Sequence, residues 1–341
     1  MSLYKEILAR FPHKGLTYSF AYGSGVKQQL GYEALTKQKN NIIDLVFCVD
    51  DVHQWHALNL EKHPSHYSSL RLLGSKFIAG YQERFGAGVY FNTLVPLADI
   101  GVTIKYGVIS SKTLLQDLKD WNRLYLSGRL QKPVVDIMPP SGEDLNEALR
   151  RNLLSAFQVS LLMLPERFSD YKLFHTISSL SYKGDFRMIF GENKNKVENI
   201  VQAQRKDFYE LYRPAMQQLT EYVAVDFSAK ELGSERSIVQ FEQDKSNAAN
   251  EYHLRNAPTR LRMRLMKNAA YRGTYPDIVE HMASSQNLRE IVQMSVNDIV
   301  WRSSITQSLK NIPTAGLLKS IIYSYRKATK TFSNSFLDHS H

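Results

Sequence analysis

The stretch AYGSGVKQQLGYEALTKQKNNIIDLVFCVDD, which begins at residue 21, combines two features suited to phosphate chemistry. The first is Gly23-Ser24-Gly25 after an apolar segment, and the second is Asp44 near the start of an apolar run. Glycine lets a backbone approach a phosphate closely, and a serine hydroxyl donates a further hydrogen bond. A carboxylate on a neighbouring strand can hold Mg²⁺ against the same phosphates. The pattern predicts phosphoryl or nucleotidyl transfer, with the glycine-serine turn binding phosphates and Asp44 acting as metal ligand and catalytic residue.

Other carboxylates in the chain are candidates for a second metal ligand. In an extended strand, Asp50 would lie about 20 Å from Asp44, which is too far for a shared metal pair. Asp50 and Asp51 are therefore expected to cap the next segment or to contact the nucleotide from outside. Asp185, in SYKGDFR, is the predicted second ligand, with a structural turn after Gly184 as the alternative. For Asp44 the alternative is an ion pair with an arginine, because an unpaired carboxylate in a buried strand costs several kcal/mol.

Basic residues near these carboxylates are predicted to contact phosphates. Lys105 lies in the apolar segment TIKYGVI and is predicted to be catalytic, although its stem could simply cover a strand edge. The others follow a helix end in GRLQKP or flank Asp185, namely Arg129, Lys132, Lys183 and Arg187. Arginine grips phosphate with two parallel hydrogen bonds, whereas a stabilised helix dipole is the simpler explanation for the GRLQKP pair.

Four histidines lie within 14 residues, at positions 53, 56, 63 and 66. Their spacing raises the possibility of zinc, but a compact site would need cysteines or acids close by. We instead expect His66, which precedes Tyr67-Ser68, to help shape a nucleotide pocket.

Composition narrows the class of protein. The 341 residues carry a formal charge of +10, which favours anionic partners such as nucleotides, nucleic acid or acidic lipid surfaces. Cys48 is the single cysteine, so no intrachain disulfide can form. No stretch reaches the roughly 18 apolar residues of a membrane span. Residues 1–16 have helical spacing and could be a targeting helix, but are read here as the first helix of the fold.

The hydrophobic pattern predicts an α/β (α+β) fold. Strands are expected in LTYSFAYGSG, NIIDLVFCV, GAGVYFNTLV and VTIKYGVIS. One helix is expected over SKTLLQDLKDWNRLYLSG, capped by Ser111 and stopped by Gly128. KPVVDIMPPSGEDL, with three prolines, is expected to be a linker. Beyond it, residues 144–168 and 194–222 are mostly helical in pattern, and YVAVDF is expected to be a short strand.

Two basic segments follow. AGLLKSIIYSYRKATKTF places its apolar residues on one helical face and its cations around the rest, which is typical either of a membrane-interface helix or of a core helix. RNAPTRLRMRLMK places Arg260, Arg264 and Lys267 on one face. That face could bind nucleic acid or acidic lipid, or could simply be solvated.

Several of these motifs occur together in known families. The Gly23-Ser24 turn and IIDLVF resemble the polymerase-β-like nucleotidyltransferase superfamily. The combination of FAYGSGV, IIDLVFCVDD, HPSHYSSL, GAGVYFN, KYGVIS, WNRLYLSGRLQKPV and SLSYKGDFRMIFGE more closely resembles the mitochondrial translocator assembly and maintenance family. The tail segment IVWRSSITQSLKNIPTAGLLKS fits it too. In one respect the chain departs from the superfamily, because Ile42 stands where the first acid of a carboxylate pair is usual.

The resemblance implies a magnesium-dependent CTP:phosphatidate cytidylyltransferase, peripheral on the matrix side of the mitochondrial inner membrane. Its product, CDP-diacylglycerol, would feed cardiolipin synthesis, and its partners would be CTP, phosphatidate and an anionic membrane surface rather than nucleic acid. The implied architecture is a nucleotidyltransferase domain with a mixed sheet and flanking helices (1–140), a smaller α-rich winged-helix-like domain (141–284) and a basic amphipathic membrane-associating segment (285–341). The alternatives are an RNA-directed nucleotidyltransferase and a non-catalytic import maintenance factor.

Overall fold

The structure is a computed structural model. It describes residues 2–23, 26, 42–190, 195–226, 239–269 and 271–315. Ser24, Gly25 and all residues of the basic segment after Ala315 lie outside these ranges.

A five-stranded mixed sheet forms the first half of the described chain. Its strands are β1 (Leu16–Tyr22), β2 (Ile42–Val49), β3 (Val89–Leu97), β4 (Val102–Ser110) and β5 (Val135–Met138). Their order is β3-β4-β2-β1-β5, with β2 and β4 parallel and the other pairs antiparallel. The four predicted strands are confirmed. The linker predicted over KPVVDIMPPSGEDL is wrong at Val135–Met138, because these residues form β5. The three prolines of the segment lie outside these four residues, so the backbone of β5 can pair with β1.

Helices cover both faces of this sheet. One face packs on α1 (Leu3–Leu8) and α2 (Val52–Lys62), and the other on α4 (Ser111–Asp120), α5 (Leu126–Leu130) and the start of α6 (Glu143–Met163). The helix α3 (Gly74–Arg84) packs against α2. Cys48, in central strand β2, is fully buried, and burial raises the pKa of its thiol to about 11.

The helix predicted over residues 111–128 is broken into α4 and α5. Trp121 takes a left-handed conformation with φ 53°, which ends α4. The buried Asp117 carboxylate then accepts hydrogen bonds from the backbone N–H groups of Arg123, Leu124 and Ser127 at 2.8–3.1 Å. These bonds fold the connecting loop back on α4. Ser110, not Ser111, caps α4, and the predicted stop at Gly128 falls inside α5.

The second half of the chain is mostly helical, as predicted. It contains the three-stranded antiparallel sheet β6 (Arg167–Ser169), β8 (Gln240–Gln243) and β7 (Val223–Asp226), in that order. The helices around it are α7 (Asp170–Ser179), α8 (Arg187–Phe190), α9 (Lys196–Ala203), α10 (Arg205–Gln218), α11 (Asn247–Arg255), α12 (Thr259–Asn268), α13 (Tyr275–Ala283) and α14 (Leu288–Ala315). One apolar core joins α6 to the small sheet and to α7, α9, α10, α11, α12, α13 and α14.

The long helix α14 connects the two halves. Its first turns bury Val292, Val296 and Val300 in the helical core, so this part of the predicted third segment is core helix. Further along, the Gln307 side chain accepts a 2.7 Å hydrogen bond from the backbone N–H of Ala87, next to β3. The division into three domains stays a prediction. None of the described helices combines the length and apolar character that a bilayer crossing needs.

Candidate active site

Asp44 and Lys105 face each other across the parallel strands β2 and β4. The register pairs these two residues directly, so both side chains project from the same face of the sheet. Lys105 Nζ lies 3.2 Å from Asp44 Oδ1, and the side chains are only 15% and 24% exposed. Asp44 Oδ1 accepts no well-formed hydrogen bond within the described residues, so the contact is an ion pair by distance. The ion pair predicted as the alternative for Asp44 is thus present, but its cation is a lysine and not an arginine.

Gly23 brings the backbone close to this ion pair. It follows β1 with φ +87°, a conformation that favours glycine. A Cβ at this position would lie 3.3 Å from Asp44 Oδ2. The β1–β2 register explains the proximity, because Tyr22 pairs with Asp44. The structure therefore brings Gly23, Asp44 and Lys105 together, as the sequence predicted, whereas Ser24 and Gly25 lie outside the described residues.

Arg129 covers the same corner from α5. Its guanidinium carbon lies 4.0 Å from the centre of the Tyr22 ring, and its Nε is buried without a hydrogen-bond acceptor in the described chain. Burial raises the pKa of the Tyr22 hydroxyl; Asp44 raises it further, while Lys105 and Arg129 oppose the shift. Two cations and one carboxylate thus share a half-enclosed corner with excess positive charge, which favours an anionic ligand.

A cleft continues from Arg129 towards the second half of the chain. It is lined by Arg129, Lys132, Tyr125, Asp185 and Arg187, together with residues of α14. Aromatic rings connect it to the ion pair. Lys105 Nζ lies 4.7 Å from the Phe91 ring centre, and Phe91 lies 6.5 Å from the ring of Tyr125. The sequence did not single out Tyr22, Phe91 or Tyr125, because an aromatic residue in an apolar strand or helix is indistinguishable from ordinary core.

Lys132 is an unusual buried cation in this cleft. The residue is only 7% exposed. Its ammonium donates hydrogen bonds to the Gly128 carbonyl and, at 2.8 Å, to Ser181 Oγ. Burial, then Arg129 and Lys196, lower the pKa of this ammonium well below its ordinary value. An anion entering the cleft would relieve this repulsion.

Asp185 is held by its neighbour. Arg187 donates from Nε to Asp185 Oδ1 at 3.0 Å and from Nη2 to Oδ2 at 2.6 Å. This fork occupies both oxygens of a carboxylate that is 5% exposed. The structure thus places Asp185 beside the cleft, but in an ion pair, and its role as second metal ligand stays a prediction.

Two predicted phosphate-binding residues lie away from this cleft. His66 packs against Tyr106, whose hydroxyl lies 3.1 Å from its Nδ1, and Tyr106 projects from the face opposite Lys105. Lys183 donates to Gln293 Oε1 at 3.2 Å. Burial, then Arg289 and Lys172, lower the pKa of Lys183. Neither residue joins the Asp44 corner, and their assigned roles stay predictions.

Two of the other metal candidates, His56 and Asp51, make structural contacts. No group of three or more metal-ligating side chains of histidine, cysteine, aspartate or glutamate occurs in the described ranges. His56 is a core histidine, bonded to Tyr67 and Gln82 at 2.8 and 2.9 Å, and burial lowers its pKa to about 4. Asp51 caps α2 by accepting from the Gln54 N–H, which confirms the capping prediction for that residue.

Comparison with known proteins shows the family to which the chain belongs. A family model described as "Phosphatidate cytidylyltransferase, mitochondrial" matches residues 4–330. The chain belongs to this family, Tam41/Mmp37. The resemblance read from the motifs is therefore confirmed.

Relatives with the same description match along nearly their whole length. The Drosophila melanogaster protein is 58% identical over 340 residues, covering 98% of this chain and 99% of its own. The Mus musculus protein is 43% identical, covering 96% and 93%, and the Caenorhabditis elegans protein 35%, covering 97% and 98%. A crystal structure of a nucleotidyltransferase-like protein from Exiguobacterium sibiricum aligns over 90% of this chain and 75% of its own, at 12% identity and a TM-score of only 0.22.

Proposed function

We propose that the cleft beside Asp44 transfers a cytidylyl group from CTP to phosphatidate. The phosphate oxygen of phosphatidate attacks the α-phosphorus of CTP, the new P–O–P link of CDP-diacylglycerol forms, and the bond to the β-phosphate breaks to release pyrophosphate. Membership of the family of mitochondrial phosphatidate cytidylyltransferases supports the reaction. The carrying observation in the structure is the Asp44–Lys105 ion pair at the Gly23 turn, with Arg129 alongside.

The cations of the site suit this chemistry. Phosphoryl and nucleotidyl transfer need little covalent help from a protein, but they need positioned charge. Lys105 and Arg129 neutralise phosphate oxygens at the strand ends, and Lys132 and Arg187 extend the positive surface along the cleft. The Gly23 backbone leaves room for a phosphate next to the carboxylate. No general base is required, because the attacking phosphate is already anionic near neutral pH.

Asp44 fits one ligand position of Mg²⁺. Its Oδ1 is buried and accepts no well-formed hydrogen bond in the described chain, and hard carboxylate oxygens suit this ion. Magnesium sites commonly use one or two carboxylates and take their other ligands from water and substrate phosphates. When bound, the ion would supply charge neutralisation to the triphosphate. We propose Asp185 as the second carboxylate.

Membership of the same family supports a proposal for the location and the domain architecture. We place the protein peripherally on the matrix side of the inner membrane, where its product enters cardiolipin synthesis. The mixed sheet would form the nucleotidyltransferase domain (1–140), the smaller sheet and its helices a winged-helix-like domain (141–284), and the basic segment after α14 the membrane contact. The three-stranded antiparallel sheet packed on helices supports the second assignment.

The test is incubation of the full chain with radiolabelled CTP, phosphatidate and Mg²⁺, followed by lipid extraction. We expect labelled CDP-diacylglycerol, and at least about a 100-fold loss in Asp44→Asn. The control is Asp99→Asn, which makes the same chemical change at an exposed carboxylate paired with Arg10. Label in added RNA instead of lipid, or CTP binding without turnover, would overturn the proposal, and full activity in Asp44→Asn would remove Asp44 from the site.

A further inference from the structure

Four arginines from three parts of the chain converge on a second cleft. Arg123 comes from the loop after α4, Arg260 and Arg264 from α12, and Arg302 from α14. We call this feature the arginine cleft. It has a volume of about 110 Å³, against the roughly 10–15 Å³ that a single water molecule needs on the same measure. A phosphate group therefore fits.

The arginine cleft is separate from the candidate active site. Val300 and Ser304 of α14 line the active-site cleft, whereas Ile299, Arg302 and Thr306 line the arginine cleft. Ser303 contributes to both. The two clefts therefore lie on adjoining strips of one helix, about 10 Å wide with its side chains.

Positive charge in the arginine cleft is poorly balanced. No carboxylate lines it, and within the described ranges no ion pair or side-chain hydrogen bond engages the guanidinium of Arg264 or Arg302. Arg264 is 8% exposed; burial lowers the pKa of its guanidinium, Arg260 and Arg302 lower it further, and Asp298 acts in the opposite direction. The guanidinium groups of the arginine cleft therefore repel one another, and a bound anion would remove this electrostatic penalty.

The local hydrogen bonds orient the arginines without neutralising them. Arg123 donates from Nε to the Gly86 carbonyl at 2.9 Å, which fixes its guanidinium at the cleft. The hydroxyl of Thr306 is used within α14, where it donates to the Arg302 carbonyl at 2.8 Å. The donors left to meet a ligand are therefore mainly guanidinium N–H groups, and these form paired hydrogen bonds with phosphate oxygens.

We infer that the arginine cleft is a second anion site, which binds a phosphate group beside the candidate active site. The phosphate belongs either to a phospholipid headgroup or to a soluble phosphate compound, since the same guanidinium geometry recognises both. The inference does not depend on the proposed reaction, because it concerns binding to residues outside the catalytic cleft.

The test compares two double variants of the full chain that lose the same charge. Arg260→Gln with Arg302→Gln changes two cleft arginines that are not fully buried, and Lys76→Gln with Lys112→Gln changes exposed cations of α3 and α4, away from both clefts. Both pairs are made in an Arg129→Gln background, which weakens anion binding at the active-site cleft. Matching thermal melts establish that each variant is folded.

Binding is measured in two arms. Calorimetry with inorganic phosphate and pyrophosphate reports a soluble ligand, and flotation with phosphatidylcholine vesicles, with and without phosphatidate, reports a headgroup. We expect the cleft variant to bind about tenfold more weakly per arginine removed, in at least one arm, while the control variant binds as its parent does. Equal binding by the two variants in both arms, or no binding by the parent, would overturn the inference whether or not the protein makes CDP-diacylglycerol.

Discussion

At the scale of single residues, strand register is what creates the Asp44–Lys105 ion pair. Asp44 faces Lys105 because β2 and β4 run parallel with those positions aligned, and a shift of one residue would turn Asp44 to the opposite face. Ile42 lies two residues earlier and therefore on the same face as Asp44. The missing acid of the superfamily pattern would thus have pointed towards the site, so its loss leaves Asp44 as the carboxylate that β2 presents there.

Replacement of Lys105 by Met tests this pair. The change keeps the apolar stem against Phe91 but removes the charge that faces Asp44. We expect activity to fall about 100-fold, because a positioned cation contributes on that order to phosphoryl-type transfer. The free energy of unfolding should fall by about 1–3 kcal/mol, since a partly buried carboxylate loses its partner.

The matched control is Lys112→Met, at an exposed position of α4. CDP-diacylglycerol formation and denaturant unfolding are measured on both variants. Equal activity in the two would show that Lys105 is structural only.

Several residues at the Asp44–Lys105 corner could be predicted from their residue types. A lysine and a carboxylate inside apolar strands are costly, so Asp44 and Lys105 stand out in the sequence. Lys183 is predicted because it flanks Asp185, yet it points to α14, because sequence spacing in a loop does not fix side-chain direction. Tyr22 gave no signal, since only the folded register places its ring under Arg129.

At the scale of elements, the loop between α7 and α8 is pressed against α14. Gly184 has φ +87°, and a Cβ there would lie 2.8 Å from the Asn297 Cα and carbonyl oxygen. This contact positions Asp185 and Arg187, which line the candidate active site.

Gly184→Ala should therefore move the loop away from α14. We expect a loss of about 2–4 kcal/mol from the free energy of unfolding, which combines left-handed strain with a backbone clash. Activity should fall as well, because Arg187 moves with the loop.

Gly142→Ala is the matched control, since Gly142 has φ +88° and open space around its Cβ position. It should lose only about 1 kcal/mol and keep full activity. Chemical denaturation and lipid product formation measure both effects. Similar losses in the two variants would mean that the loop is not held by this contact.

A helix or strand could be predicted from the sequence when the residues that determine it lie within the element itself. Long apolar runs predicted β2 and β4 correctly, because a strand that is buried on both faces needs apolar residues along most of its length. The break between α4 and α5 was missed, since it depends on hydrogen bonds that Asp117 makes to residues six to ten positions later. The edge strand β5 was missed because nearby prolines are typical of loops.

At the scale of the whole molecule, α14 joins the helical core to the edge of the mixed sheet. Lys310 contributes to that joint by donating to the carbonyls of Gln82 and Phe85 at 2.7 and 2.8 Å. Burial lowers the pKa of this ammonium from 10.5 to about 7; Glu83 opposes the shift and Arg123 adds to it.

This lowered pKa predicts a pH-dependent stability. Between about pH 7 and 10.5 the unfolded chain keeps a proton on Lys310 that the folded protein has released, so stability rises with pH in this window. Below about pH 7 the ammonium is protonated in both states and contributes no further slope.

Lys310→Met removes this titration. The difference in free energy of unfolding, wild type minus variant, should increase as pH rises from 7 towards 10.5. Urea unfolding at a series of pH values measures it, with Lys112→Met as a control that should show no comparable trend. A difference that is constant or falls with pH would contradict the burial of Lys310.

Cys48 gives the folded sheet a built-in reporter. It is the chain's single thiol, and it is fully buried in the central strand β2, two residues from Val46 and four from Asp44. A thiol reagent can therefore modify the native protein only when this strand becomes exposed, and the labelling rate measures how often that occurs. Slower labelling in the presence of CTP would report nucleotide binding at the neighbouring corner without any need for turnover or added label on the lipid.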